Sequence, residues 1–132
     1  MVRQIVASII GIVVAGITVS LVERVGHLLF PVARNGGSVA DFVQITDGLP
    51  LASLLFVILA WGSGSFVGGL AAYWISQSRD WPVWVVCGFM LIGTATVLYQ
   101  IPHPMWMVVT GPVVIVAGAW GAVKIGPRIR GG

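Results

Sequence analysis

A glutamate and two histidines are the side chains in this sequence whose types and spacing could support chemistry. Glu23 and His27 lie four residues apart, so on a helix they project from the same face. His103 stands between two prolines much later in the chain. Two imidazoles and one carboxylate can hold a divalent metal ion, and the same groups can relay protons. The three residues are therefore a candidate ligand, proton or metal site, provided that the fold brings them together.

The elements that would position these residues are membrane-spanning helices. Hydrophobic residues make up 58% of the 132 residues and charged residues only 8%, more apolar surface than a soluble domain could bury. A span needs about 20 apolar residues, so the chain has room for four spans and little else. We predict an all-α membrane protein, a single domain over 1–132 that forms an up-down four-helix bundle. Its predicted spans cover about 5–30, 51–76, 82–99 and 104–123.

Prolines and the ends of the apolar runs set these boundaries. The stretch from Asp47 to Pro50 opens the second span, because a proline in the first turn loses no helical hydrogen bond. The prolines between Gln100 and Pro104 interrupt a regular helix, so the third and fourth spans form a tight hairpin. The first run could instead be a signal peptide. We favour a membrane anchor, because no small-x-small cleavage site ends the run.

The distribution of basic residues predicts the orientation. Four spans place both termini on one side, which collects most of the cations: Arg3, Arg79, Lys124, Arg128 and Arg130. Only Arg24 and Arg34 fall on the other side. The positive-inside rule then makes both termini cytoplasmic, and we expect a multi-pass protein of the inner (plasma) membrane. This orientation places Glu23, His27 and His103 together at the outer surface.

The loop between the first two spans, residues 31–49, is the one long connection. Ser38 and Asp41 have the spacing of a capping box, and Phe42, Val43 and Ile45 follow. This pattern is typical of a short amphipathic helix on the membrane surface. An irregular polar loop explains the same residues equally well, so both interpretations stay open.

Small residues four apart predict close helix contacts, because in lipid the approach of two backbones supplies much of the packing energy. They occur on three spans: Gly16 and Ser20; Gly64, Gly68 and Ala72; Gly118 and Ala122. The pattern leaves open contacts within one chain, in a homo-oligomer or in a larger membrane complex. In the middle of the second span, Trp61, Ser63 and Ser65 are predicted to line a cavity. Alternatively, the serines bond to their own helix.

Two simpler interpretations compete with the candidate site. Glu23 begins where the hydrocarbon ends, so Glu23, Arg24 and His27 could face headgroups and water. In the same interpretation His103 satisfies backbone groups in its turn. Alternatively, Glu23, His27 and His103 could form a structural polar network between the first and fourth spans. The sequence requires no cofactor, and a divalent metal is the one that these side chains could bind.

Other functional classes lack support in the sequence. The cations are few and do not form one contiguous face, so we expect no nucleic-acid binding. The glycines of the second span lack the strand-to-helix context of nucleotide-binding loops, and a serine-nucleophile motif is absent. Cys87 is the single cysteine, which excludes a disulfide within the chain. We therefore do not expect an enzyme, although an interfacial active site stays open.

Two motifs resemble those of small uncharacterised four-span bacterial inner-membrane proteins. One is Glu23-x-x-Gly26-His27-x-x-Phe30-Pro31 and the other is Ile101-Pro102-His103-Pro104-x-Trp106. The resemblance extends over nearly the whole length and implies a bacterial inner membrane and a four-helix layout. It implies no activity, but it makes Glu23, His27 and His103 the first positions to consider.

The layout is also similar to that of small multidrug resistance transporters, four-span proteins with one membrane-embedded glutamate in the first span. Here Glu23 lies too near the outer end of its span for that role, and the first loop is longer. We therefore expect an accessory or structural membrane subunit. The alternatives are a small oligomeric proton-coupled transporter and an interfacial metal- or ligand-binding membrane protein.

Overall fold

Four long helices make up the part of the chain that the structure, a computed structural model, describes. This part comprises residues 1–29, 51–77, 79–100 and 104–131, without the side chains of residues 27, 51–53, 130 and 131. The helices are α1 (Val2–Leu29), α2 (Leu51–Ile75), α3 (Trp81–Gln100) and α4 (Met105–Gly131). By length and composition each can cross a membrane. The prediction of an all-helical protein with four such helices is confirmed.

Helix α2 lies at the centre of the bundle. Its contacts with α1 on one side and α4 on the other are the most extensive, and α3 packs against all three. Among the described residues α1 and α4 make no contact, because α2 separates them. The bundle is thus a layer of α1, α2 and α4 with α3 covering one face.

Contacts at both ends show that α1 and α2 run in opposite directions. The Arg3 Nε donates a hydrogen bond of 2.7 Å to the Ile75 carbonyl, which joins the start of α1 to the end of α2. At the other end, Gly26 lies against Phe56. The first two helices therefore form an antiparallel pair.

The remaining two helices continue the alternation. Gly69 lies beside Val83 of α3, and Gly64 beside Met90, so α3 is antiparallel to α2. In contrast, Gly62 lies against Val114 of α4, and Tyr73 against Gly126, so α4 is parallel to α2. This order is the predicted up-down arrangement.

A short turn joins α2 to α3 and fixes the position of Arg79. Gln77 has a φ of 61°, the left-handed conformation that commonly follows the end of a helix. The Ser76 hydroxyl donates to the Tyr73 carbonyl at 2.9 Å and accepts the Arg79 amide at 3.3 Å. These bonds satisfy backbone groups that the end of α2 leaves open.

Glycines set the close approach of α1 to α2. A Cβ atom on Gly68 would lie 2.6 Å from the Gly11 carbonyl oxygen and 2.7 Å from the Ala15 Cβ. A Cβ on Gly64 would lie 2.5 Å from the Val19 Cγ2. A Cβ at either point would force its neighbours to shift, so the helix contacts predicted for Gly64 and Gly68 are confirmed.

The contact between α2 and α4 is built in the same way. A Cβ on Gly118 would lie 2.6 Å from the Gly62 carbonyl oxygen and 3.1 Å from the Phe66 amide nitrogen. Both neighbours are backbone atoms and cannot move aside alone. The predicted contact at Gly118 is confirmed.

The predicted small pair on the first span behaves differently. Gly16 and Ser20 are exposed, and a Cβ on Gly16 would meet nothing within 4 Å. Instead, α1 faces α2 with Gly11 and Ala15, which are buried and also four residues apart. The pair Gly16 and Ser20 therefore makes no helix contact within the described chain.

The helix ends agree closely with the predicted spans except at the C-terminus. Helix α4 continues to Gly131, past the predicted span end near Val123 and through Pro127. The segment 30–50 lies outside the described residues, so the amphipathic helix of the first loop stays a prediction.

Candidate functional site

Glu23 lies in the last two turns of α1. Its side chain is half-buried, whereas Arg24 beside it is exposed. His27 follows one turn later on the same helix, so the backbone places both residues on one face as predicted, while the His27 side chain lies outside the described atoms. Counting from Val2 at about 1.5 Å per residue, Glu23 lies about 32 Å along α1, near the hydrocarbon thickness.

His103 lies outside the described residues, two positions before α4 begins at Met105. The Pro104 carbonyl accepts a hydrogen bond of 2.9 Å from the Met107 amide, which forms the first turn of that helix. In the part of the chain that the structure describes, α2 separates α4 from α1. The convergence of His103 with Glu23 and His27, as a metal, ligand or proton site or as a structural network, stays a prediction.

Among the described side chains, which include neither His27 nor His103, no group of three His, Cys, Asp or Glu could hold a metal ion. Cys87 is buried in α3. The metal-binding and transporter interpretations therefore stay predictions.

The three residues proposed to line a cavity have separate environments. Trp61 is 5% exposed, and its ring lies over Gly111 of α4. The Ser65 hydroxyl donates a buried hydrogen bond of 2.7 Å to the Ile115 carbonyl across the same interface. The Ser63 hydroxyl donates to the Ala60 carbonyl of its own helix at 3.1 Å, as the alternative interpretation proposed.

Of these three residues, Ser63 lines an open groove between α2 and α4. The groove has a volume of about 460 Å³ and a mostly apolar lining that includes Leu59, Phe66 and Val114. Gly62 and Gly118 form part of it, because two missing side chains leave space beside the tight helix contact. A groove of this composition in a membrane helix pair suits hydrocarbon better than a polar solute.

No family model, curated protein or solved structure matches this chain. The resemblance carried by the two motifs therefore stays a prediction.

The exposed face of α1, which we call its outer face because it points away from the other helices, was only partly predicted from the sequence. Gly16, Ser20 and Arg24 follow one another at four-residue spacing along a shallow groove of about 480 Å³. The Ser20 hydroxyl makes no hydrogen bond among the described residues, whereas the Thr18 hydroxyl donates to the Val14 carbonyl at 2.8 Å. The four-residue spacing of Gly16 and Ser20 was visible in the sequence. The pair that contacts α2, however, is Gly11 and Ala15.

The end of the bundle opposite to Glu23, formed by the start of α1, the α2–α3 turn and the end of α4, carries most of the charged residues that the structure describes. We call it the basic end, and its described basic side chains are all exposed: Arg3, Arg79, Lys124 and Arg128. Asp80 is the acidic residue described there, and it forms no ion pair with any described residue. Half-exposed indoles surround this end: Trp74, Trp81, Trp84 and Trp120.

Proposed function

We propose that this protein is an accessory or structural subunit of the bacterial inner membrane, whose α1 packs against another membrane protein. The observation that carries the proposal is the pair Gly16 and Ser20 on the outer face of α1. A helix facing only lipid gains nothing from a glycine, because lipid tails pack equally well against larger side chains. A partner helix could approach closely at this pair.

The polar groups of the spans support the same interpretation. Most described hydroxyls in the helices bond to carbonyls one turn away, as Thr96 does to Ile92 at 2.9 Å and Thr110 to Trp106 at 2.6 Å. Ser65 bonds to another helix instead, and buried Thr94 makes no hydrogen bond with a described residue. Exposed Ser20 makes no such bond within the described residues. A hydroxyl in hydrocarbon is stabilised by a hydrogen bond, and a partner helix against this face would supply an acceptor.

We expect Gly16→Leu to reduce the recovery of the partner roughly tenfold, because the leucine side chain would hold the two backbones apart. The tagged full chain is extracted in native lipid particles, and co-purified proteins are quantified by mass spectrometry. Gly93→Leu is the matched control, because a Cβ on Gly93 of α3 also meets nothing within 4 Å, but the residues four positions away are Phe89 and Val97, so this glycine is not part of a small pair. Recovery of the wild-type chain alone, without a stoichiometric partner, would contradict the proposal.

The basic end supports a cytoplasmic location for both termini. A green fluorescent protein fused after Gly132 should fluoresce, and alkaline phosphatase fused at the same point should be inactive, because the first matures in the cytoplasm and the second outside it. The expected orientation follows from the Lys and Arg excess at that end. The reverse pattern of the two reporters would show that the termini face outward.

A further inference from the structure

One side of α4 carries apolar, aromatic and basic side chains in the order in which a phospholipid carries its parts. These exposed residues follow one another at three- or four-residue spacing, so they share one helix face. We call them the α4 outer strip: Val109, Val113, Val116, Trp120, Lys124 and Arg128. The residues of α4 that contact α2 lie on the opposite face, among them Gly118 and Gly126. The strip is therefore free of contacts with α2.

The depth of the strip fits the bilayer. Twenty residues from Met105 extend about 30 Å and end at Lys124, so this ammonium group lies at headgroup level when α4 crosses the hydrocarbon. Trp120 is 57% exposed and lies one turn deeper, where indoles are favoured. The three valines then face the acyl region.

The charges of the strip lack a counter-ion within the described chain. The Lys124 Nζ lies 5.5 Å from the centroid of the Trp120 ring, a cation–π contact that keeps the ammonium close to the helix. Arg128, one turn further, has no ion pair with any described residue. Two like charges four residues apart repel, and an anion between them would remove the repulsion.

We infer that the α4 outer strip binds one anionic phospholipid, with its phosphate between Lys124 and Arg128 and an acyl chain along the valines. A second copy of the chain fits poorly, because its own Lys124 and Arg128 would face those of the first copy and the like charges would repel. An acidic peptide would leave the valines uncovered. The lipid is the one occupant that matches both the charge and the apolar length of the strip.

The test measures which lipids stay bound to the full chain. The protein is reconstituted with equal amounts of phosphatidylglycerol and phosphatidylcholine, and the retained lipids are counted by native mass spectrometry. We expect the ratio of retained phosphatidylglycerol to phosphatidylcholine to be on the order of ten for the wild type. In Lys124→Gln/Arg128→Gln this ratio should fall to about one. Lys124→Arg should keep the enrichment, because it keeps the charge.

The matched control is Arg24→Gln/Arg79→Gln, which also removes two positive charges but none from the strip. It should retain the enrichment, and circular dichroism should show equal helix content in both double variants. Equal loss in the two double variants would overturn the inference, because the charge of the whole chain would then explain the binding. Absence of enrichment in the wild type, displacement of the lipid by excess glycerol 3-phosphate, or a stable dimer lost in Lys124→Gln/Arg128→Gln would overturn it too.

Discussion

Gly68→Ala should lower the free energy of unfolding by about 2 kcal/mol. Its Cβ would lie 2.6 Å from the Gly11 carbonyl oxygen, so α1 and α2 must move apart along their whole contact. Overpacking of this kind costs about 1–3 kcal/mol, and the better helix propensity of alanine returns only part of it. Unfolding of the purified protein in mixed micelles, followed by circular dichroism, measures the change.

Gly93→Ala is the control for this result. A Cβ on Gly93 meets nothing within 4 Å, so the same substitution should leave stability unchanged or raise it by up to about 1 kcal/mol. If the two variants unfolded alike, helix propensity would explain both, and the close α1–α2 approach at Gly68 would be wrong.

Trp61→Ala should be the most destabilising single substitution in the core, at about 3–5 kcal/mol. The indole is 5% exposed and fills the space over Gly111 between α2 and α4, and its removal leaves a cavity there. Trp84→Ala, at a residue 43% exposed, should cost less because lipid and headgroups can replace the ring. The same unfolding measurement compares the two.

A double-mutant cycle tests the geometry of this contact. A Cβ on Gly111 would lie 2.7 Å from the Trp61 Cζ3, so Gly111→Ala alone should be destabilising. In the Trp61→Ala background the added methyl group has room, and its cost should disappear. We expect a coupling of about 1–2 kcal/mol, and additive effects would mean that the two residues do not touch.

The helices and their alternation could be predicted from the sequence because both follow from length. Four apolar runs separated by prolines or charges leave little freedom in a chain of 132 residues. The central place of α2 could not be predicted in this way. It depends on which of several small pairs meet, and the pairs Gly11 with Ala15 and Gly16 with Ser20 have the same spacing on different faces of α1.

The candidate site was predictable only in part, for a related reason. Helical spacing puts Glu23 and His27 on one face, since that depends on one helix alone. Whether His103 joins them depends on the conformation of residues 101–103, which helix periodicity does not determine. The basic residues of the α4 outer strip are visible in the sequence. Their exposure, and their position on the face opposite the contact with α2, could be known only from the fold.

The central position of α2 also has a consequence for synthesis. The close contacts between α1 and α2 join two helices that follow one another in the chain. This pair can therefore form before α3 and α4 have left the ribosome. Until α4 arrives, the Ser65 hydroxyl lacks the Ile115 carbonyl, 50 residues further along, and can bond only to its own helix. The exchange of that local bond for the bond between helices would mark the moment at which the last helix joins the bundle.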